Sequence, residues 1–234
     1  MQLAVLADAD AVARTAAFIA NDARVAVATR RRFSMAVSGG HTPWVMLRIL
    51  ADEDVPWSGV LIFQVDERLA PEGASDRNLT HPRESPLERA PISPVQFHPM
   101  PVEAPEREAG ALRYAATLRA IAGSPPVLDL VHLGLGPDGR TASLVPGDSV
   151  LDLTDVDVGL TRTYQGRRCM TLTYPTLNRA RCVLWVVTGE EKAGVLARRR
   201  AGGTTIPGGR IQHENALVLA DRAAAHGPAS ARNT

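Results

Sequence analysis

Short apolar runs alternate along this chain with longer segments whose apolar residues recur at helical spacing. Residues 8–28 are rich in alanine and interleave apolar with polar positions at a helical period, which predicts a long amphipathic helix. Residues 34–38 predict a short strand that ends in Gly39-Gly40, and Pro43 then begins a helix running to about residue 51. Residues 59–65 predict a second strand, ending at Asp66-Glu67-Arg68, and residues 69–75 a loop. Pro82 and Pro86 limit residues 76–89 to short helical pieces. Residues 91–104 read as irregular, and residues 105–121 as a helix with Pro105 in its first turn. Strands are expected at 127–133, 168–172, 182–188 and 216–219, with loop or edge structure at 146–167. Gly189 leads into a helix at 190–200, and residues 226–234 form a frayed tail. Strand and helix alternate without an internal repeat or linker. The fold class is therefore α/β: one domain over residues 1–234, with a mostly parallel central sheet and helices on both faces.

Composition narrows this picture. Hydrophobic residues make up 45% of the 234, but only three Trp, three Tyr and four Phe occur, so the core must be built mainly of Ala, Val and Leu. A net charge of +1 gives no bulk attraction for a polyanion, so no nucleic-acid partner is expected. The two dense basic runs, Arg30-Arg31-Arg32 and Arg198-Arg199-Arg200, fall at predicted helix ends, where cations suit the helix dipole. Cys169 and Cys182 form no disulfide framework. The first residues lack the basic and long apolar parts of a signal peptide, and no apolar run approaches membrane-spanning length. A cytoplasmic protein without a membrane partner is expected.

Candidate chemistry collects where strands end. Open parallel sheets bind ligands beyond the carboxyl ends of their strands. Ser38-Gly39-Gly40-His41-Thr42-Pro43 joins a strand to a helix, with Thr42 a candidate N-cap and exposed amides suited to phosphate. It lacks the Gly-Lys-Ser/Thr ending of a Walker loop. Arg68 ends the second strand and could fork onto a phosphate; solvated loop charges are the plainer reading of residues 66–68. Gly134, Gly136 and Gly139 match a dinucleotide fingerprint literally, but Pro146 and Gly147 interrupt any following helix. That turn carries Asp138 and Arg140. Lys192 falls in the first turn of a helix, where a bound anion would offset its conflict with the dipole. Among the histidines at 41, 81, 98, 132, 213 and 226 no pair has metal-ligand spacing, and His132 reads as a satisfied core residue. No Gly-x-Ser-x-Gly nucleophile elbow occurs.

Six segments in order resemble the 6-phosphogluconolactonase family: residues 38–43, Asp-Glu-Arg-Leu-Ala-Pro at 66–71, Ser-Asp-Arg-Asn-Leu at 75–79, Leu-Gly-Pro-Asp-Gly-Arg-Thr-Ala-Ser-Leu at 135–144, Thr-Leu-Thr-Tyr-Pro-Thr-Leu-Asn at 171–178 and Val-Thr-Gly-Glu-Glu-Lys-Ala at 187–193. The resemblance runs from about residue 30 to 225. It implies the glucosamine-6-phosphate deaminase/ribose-5-phosphate isomerase-like fold. It also implies hydrolysis of 6-phospho-D-glucono-1,5-lactone to 6-phospho-D-gluconate in the pentose phosphate pathway, with no metal or organic cofactor. The implied partner is that small sugar-phosphate lactone, and the implied assembly a monomer or weak homodimer. By position, Ser38, Gly39, Gly40, Thr42, Arg68 and Lys192 would hold the phosphate. Asp66 and Asp138 would line the sugar end, and Gly136, Gly139 and Thr141 are further substrate-binding candidates.

Two positions depart from the family pattern. Where the family has a histidine as general base, this chain has Arg140, and where it usually has an arginine, this chain has Cys169. Arg168 is adjacent but would face the other side of its strand. Arginine stays charged and cannot accept a proton; it can stabilise a developing oxyanion, helped by the amides of Gly136 or Gly139. The base would then be Asp138, ordinarily a weak one with a pKa of about 3.9, or His41. Lactone hydrolysis slower than the family norm is the resulting expectation. A non-catalytic sugar-phosphate binder and an aldose-phosphate deaminase or isomerase are the alternatives. Arg140→His tests the point by lactone turnover: a gain is expected if the base is missing, and no gain means that the site has a base of its own.

Overall fold

A computed structural model describes residues 1–7, 10–78, 90–212 and 214–226. Residues 79–89, most of the segment expected as short helical pieces and including Leu79 and His81, lie outside the described residues, as do residues 8–9, His213 and the tail beyond residue 226. Strand β1 (Gln2–Leu6) precedes helix α1 (Asp10–Arg30), and β2 (Phe33–Val37) precedes α2 (His41–Ala51). Strand β3 (Val60–Gln64) runs through Val65 into a separate three-residue strand, β4 (Asp66–Arg68). Then come β5 (Phe97–His98), α3 (Arg107–Ala122), β6 (Leu130–Leu133), β7 (Val158–Leu160), β8 (Cys169–Leu172) and α4 (Tyr174–Arg179). The chain closes with β9 (Cys182–Val187), a 3₁₀ turn at Glu190–Lys192, α5 (Ala193–Arg200), β10 (Ala216–Asp221) and α6 (Arg222–His226).

Seven of these strands form one parallel sheet in the order β1-β10-β9-β6-β2-β3-β5. The chain moves from β2 outward to β3 and β5, then returns to place β6 on the other side of β2. That reversal makes the gap between β2 and β6 the topological switch point, with Val37 opposite His132. Two apolar layers cover the sheet. Met35, Val37, Leu130 and Leu184 pack on the side of α1 and α2, and Ala36, Val131, Leu133 and Trp185 on the side of α3 and α4. Burial on both faces explains why the strands read as continuous apolar runs. A second, antiparallel sheet, β4-β8-β7, stands beside the carboxyl ends of the first.

Several expectations change at this level. Thr42 is not the N-cap: α2 starts at His41, with Gly40 as the capping residue and no side-chain cap. Pro105 precedes its helix, whose capping residue is Glu106. Arg199 is fully buried, its guanidinium 4.1 Å from the centre of the Trp185 ring, so it does not simply neutralise a helix end. Residues 174–179 form a helix, in a stretch for which the sequence predicts no element. Pro175 sits in its first turn, a position proline favours.

His132 is a core residue but not a satisfied one. It is 1% exposed, and neither ring nitrogen has a hydrogen-bond partner among the described residues. Burial pushes its imidazole down to about 4. An unfolded histidine titrates near about 6.5, so the unfolded chain takes up a proton that the folded chain refuses. Stability is therefore lost as the pH falls below the unfolded value and on toward the folded one. Between pH 7 and pH 5 the His132 contribution amounts to about 2 kcal/mol. Urea denaturation at the two pH values should show that loss in the parent chain and its absence in His132→Leu.

Candidate active site

The loops leaving β2, β4, β6 and β9 converge at the carboxyl edge of the main sheet. A cavity of about 250 Å³ there is lined by Ser38, Gly39, Asp66, Arg68, Asn78, Gly136, Arg140, Thr141 and Lys192, among others. A smaller one, about 130 Å³, shares Asp66, Arg68, Arg140 and Ala142 with it and adds Ser143, Thr161, Tyr164 and Cys169. The two are contiguous through those four residues.

The wall on the β2 side is an amide cradle. Ser38 Oγ donates to the His132 carbonyl oxygen at 3.0 Å, which ties the β2 exit to β6. The backbone amides of Gly39, Gly40, His41 and Thr42 have no acceptor among the described residues. These are the unfilled donors that a helix start presents to an anion. Only glycine fits at position 39, because a Cβ there would stand 2.1 Å from the Asn78 carboxamide. Lys192, partly buried at the end of the 3₁₀ turn after β9, faces the same cavity, with Glu191 Oε1 3.7 Å from its ammonium. His41 is exposed, and neither it, Gly40 nor Thr42 lines either cavity through its own side chain or surface.

The floor depends on Glu67, which is completely buried. Its Oε1 accepts from the amides of Arg68 and Asn78, each at 2.8 Å, and its Oε2 accepts from Gln64 Nε2 at 2.8 Å. The Arg77 guanidinium lies 3.9 Å away. Asn78 in turn accepts from Arg68 through its Oδ1 at 2.6 Å and donates through Nδ2 to the Asp66 carbonyl oxygen at 3.0 Å. Alternation along β4 thus sends Glu67 inward and leaves Asp66 and Arg68 in the cavity. The solvated-loop reading of these three charges does not hold.

The third wall is the turn after β6. Gly136 donates to the Arg140 carbonyl oxygen at 2.8 Å and Gly139 to the Gly136 carbonyl oxygen at 2.9 Å. Both amides are spent inside the turn, so neither is available to an oxyanion, contrary to the sequence expectation. A Cβ on Gly136 would come within 2.6 Å of both Arg140 Cγ and Asp138 Oδ1, so the tight approach requires glycine there. Gly139 packs under Ile206, and Thr141 Oγ1 donates to the Gly134 carbonyl oxygen at 2.9 Å. Asp138 lines neither cavity; it backs Arg140, with Oδ2 3.4 Å from the guanidinium. The Tyr164 hydroxyl donates to the same oxygen at 2.8 Å. Burial pushes the Asp138 carboxyl up, but the Tyr164 hydrogen bond, the Arg140 amide and the Arg140 charge outweigh it and hold it below the usual range. Arg140 is 5.7 Å from the centre of the Tyr164 ring.

Asn78, Ser143 and Tyr164 are site residues that sequence reading missed. Ser143 Oγ donates to Asp66 Oδ2 at 2.6 Å across 77 positions of sequence. Tyr164 is brought in by a two-residue hairpin, with Gln165 at φ 49° and Gly166 at φ 75°. The Tyr-Gln-Gly-Arg string is the one local signal that could have marked it. Cys169 lines the smaller cavity, whereas Arg168 faces a separate depression beside Leu69 and Arg107, as strand alternation requires. Among the described residues no group of three or more His, Cys, Asp or Glu could hold a metal ion, and no helix is long and apolar enough to cross a membrane.

Comparison with known proteins gives one family. The family model described as glucosamine-6-phosphate isomerases/6-phosphogluconolactonase matches residues 7–219. A 6-phosphogluconolactonase of Synechocystis sp. is 36% identical over 177 residues, 73% of this chain and 72% of that protein. One from Mycobacterium tuberculosis is 35% identical over 214 residues, 86% of this chain and 87% of that one. The solved 6-phosphogluconolactonase of Trypanosoma cruzi superposes with a TM-score of 0.85 at 25% identity, covering 96% of this chain and 95% of its own. A monomeric glucosamine-6-phosphate deaminase superposes with a TM-score of 0.84 at 16% identity, covering 96% and 99%, which shows a shared fold.

The buried Glu67 carboxylate generates a direct test. Glu67→Ala strands two backbone amides and a side-chain amide, and losing one partner of such a buried charged network costs roughly 3–5 kcal/mol. For a chain of this size that corresponds to a fall in Tm of roughly 10 °C. Thermal denaturation followed by circular dichroism checks it; a fall under about 2 °C would mean that β4 is held by something else.

Proposed function

Because the chain belongs to the glucosamine-6-phosphate isomerase/6-phosphogluconolactonase family, we propose that it hydrolyses 6-phosphoglucono-δ-lactone to 6-phosphogluconate. The observation that carries this reading is the pairing, in one cavity, of an anion cradle with a separate guanidinium. The open amide of Gly39, with Arg68 and Lys192, supplies donors for a phosphate at one end. Arg140 supplies a fixed cation at the other, where the lactone carbonyl would develop negative charge. Both are electrostatic devices that need no reorganisation during the reaction.

The pentose phosphate pathway, a cytoplasmic location and a monomeric or weakly dimeric state go with this reading. One observation favours a second reading, a sugar-phosphate binder without turnover: Arg140 adds a cation where the family pattern has a proton acceptor. Neither Asp138 nor His41 is well suited to replace that acceptor. Asp138 is held below the ordinary carboxylate range behind Arg140, and His41 lies outside both cavities.

Formation of 6-phosphogluconate, measured against the spontaneous opening of the lactone, separates the readings, since a pure binder gives product only at the background rate. Lys192→Ala should raise KM about tenfold with little change in kcat, the mark of uniform phosphate binding. Arg140→Ala should instead lower kcat by about 10²-fold or more, the loss typical of one oxyanion donor.

A further inference from the structure

Asp66 has the geometry that Asp138 and His41 lack. It lies at the junction of the two cavities, on the strand that Glu67 anchors. Its Oδ2 is fixed by Ser143 Oγ at 2.6 Å, while its Oδ1 has no hydrogen-bond partner among the described residues. Ser143 is aimed by a constrained turn: Ala142 has φ 50°, a left-handed conformation that alanine adopts at a cost of roughly 1–2 kcal/mol. The turn is closed by the Leu144 amide on the Thr141 carbonyl oxygen at 2.9 Å. Strain held at that position implies that the placement of Ser143 against Asp66 matters.

Resting on the lactonase reading above, we propose that Asp66 is the group that takes the proton from the attacking water, with Ser143 as the positioning residue that holds it. In the step so assigned, a water on Oδ1 gives its proton to Asp66 as its oxygen bonds to the lactone carbonyl carbon. The carbonyl electron pair moves onto the carbonyl oxygen beside Arg140. When the intermediate collapses, the bond from that carbon to the ring oxygen breaks, and the ring oxygen takes the proton back from Asp66. The product acid then loses its proton to solvent. No oxidant, metal or covalent enzyme intermediate is needed.

The surroundings of Asp66 agree with that role. Burial raises its carboxyl above the ordinary carboxylate range, against the lowering effect of the Ser143 hydrogen bond and of the Arg68 and Arg140 charges; Glu67 adds to the rise. Cys169, on the neighbouring strand, has its thiol pushed up to about 11, so it brings no competing anion near neutral pH. A base so tuned is stronger than an ordinary aspartate and is still ionised once the pH exceeds its own pKa.

The experiment is lactone hydrolysis across pH by the parent chain, Asp66→Asn, Ser143→Ala and Arg140→His. The parent should show kcat rising with pH through a limb above the ordinary carboxylate range. Asp66→Asn should lower kcat by about 10²–10⁴-fold, abolish the limb, and leave 6-phosphogluconate affinity within about threefold. Ser143→Ala should move the limb to higher pH, because it removes a hydrogen bond to the ionised form; a merely structural serine would not move it. Arg140→His should bring no gain. Should Asp66→Asn fail to fold, the parent limb and its displacement in Ser143→Ala still decide the matter. The assignment is overturned if Asp66→Asn keeps kcat and limb, if Ser143→Ala leaves the limb in place, or if Arg140→His raises turnover. A parent chain with no turnover above background would instead overturn the lactonase reading itself.

Discussion

A carboxylate with no exposure to solvent can stay in a protein only if donors surround it, and Glu67 meets that condition with two backbone amides and a side-chain amide. The consequence reaches well beyond one residue. Its two backbone donors come from Arg68 and Asn78, so β4 and the turn at residues 74–78 are locked to each other. Asn78 then fixes Arg68 on one side and packs against Gly39 on the other. The cation at the cavity and the glycine loop that faces it are therefore placed by the same buried charge. Remove it, and the donors for an anion lose their common frame.

The main sheet supplies the rest of that frame. Its strand order reverses between β2 and β6, which opens a crevice at their carboxyl ends, and the small antiparallel sheet closes one side of it. Charges inside are arranged in opposition rather than as one large field. Asp66 lies close to Arg68 and Arg140, and Asp138 and Tyr164 hold Arg140 from behind. Such mutual support keeps each group near one geometry before any ligand arrives, which is the property that transition-state stabilisation requires. Arg140 and Cys169 both line the smaller cavity of this crevice. The first puts a fixed positive charge at the turn after β6, and the second is an uncharged thiol on β8 near neutral pH.

The layered architecture was legible because both sheet faces are buried, so strands at 33–37, 60–64, 130–133, 182–187 and 216–221 appear as bare apolar runs between glycine and helix signals. Ser38, Arg68, Arg140 and Lys192 were legible for a related reason: each follows such a run, and strand ends share one rim. Four kinds of feature were not. The strand β1 is short and only partly covered, so its pattern is weak. The inward turn of Glu67 depends on β4 joining a second sheet, which local sequence does not specify. Ser143 and Tyr164 reach the crevice through a left-handed alanine and a two-residue hairpin, and such backbone excursions leave little compositional trace. The spent amides of Gly136 and Gly139 could be found only once the hydrogen bonds of the turn were known.

The central claim is that one cavity receives a phosphate at Gly39, Arg68 and Lys192 and presents the other end of the sugar acid to Arg140 and Asp66. A crystal structure with 6-phosphogluconate tests it most directly. The account predicts phosphate oxygens on the Gly39 amide, Arg68 and Lys192, with the carboxylate of the ligand beside Arg140. A ligand bound in the reverse orientation, or outside this cavity, would contradict it.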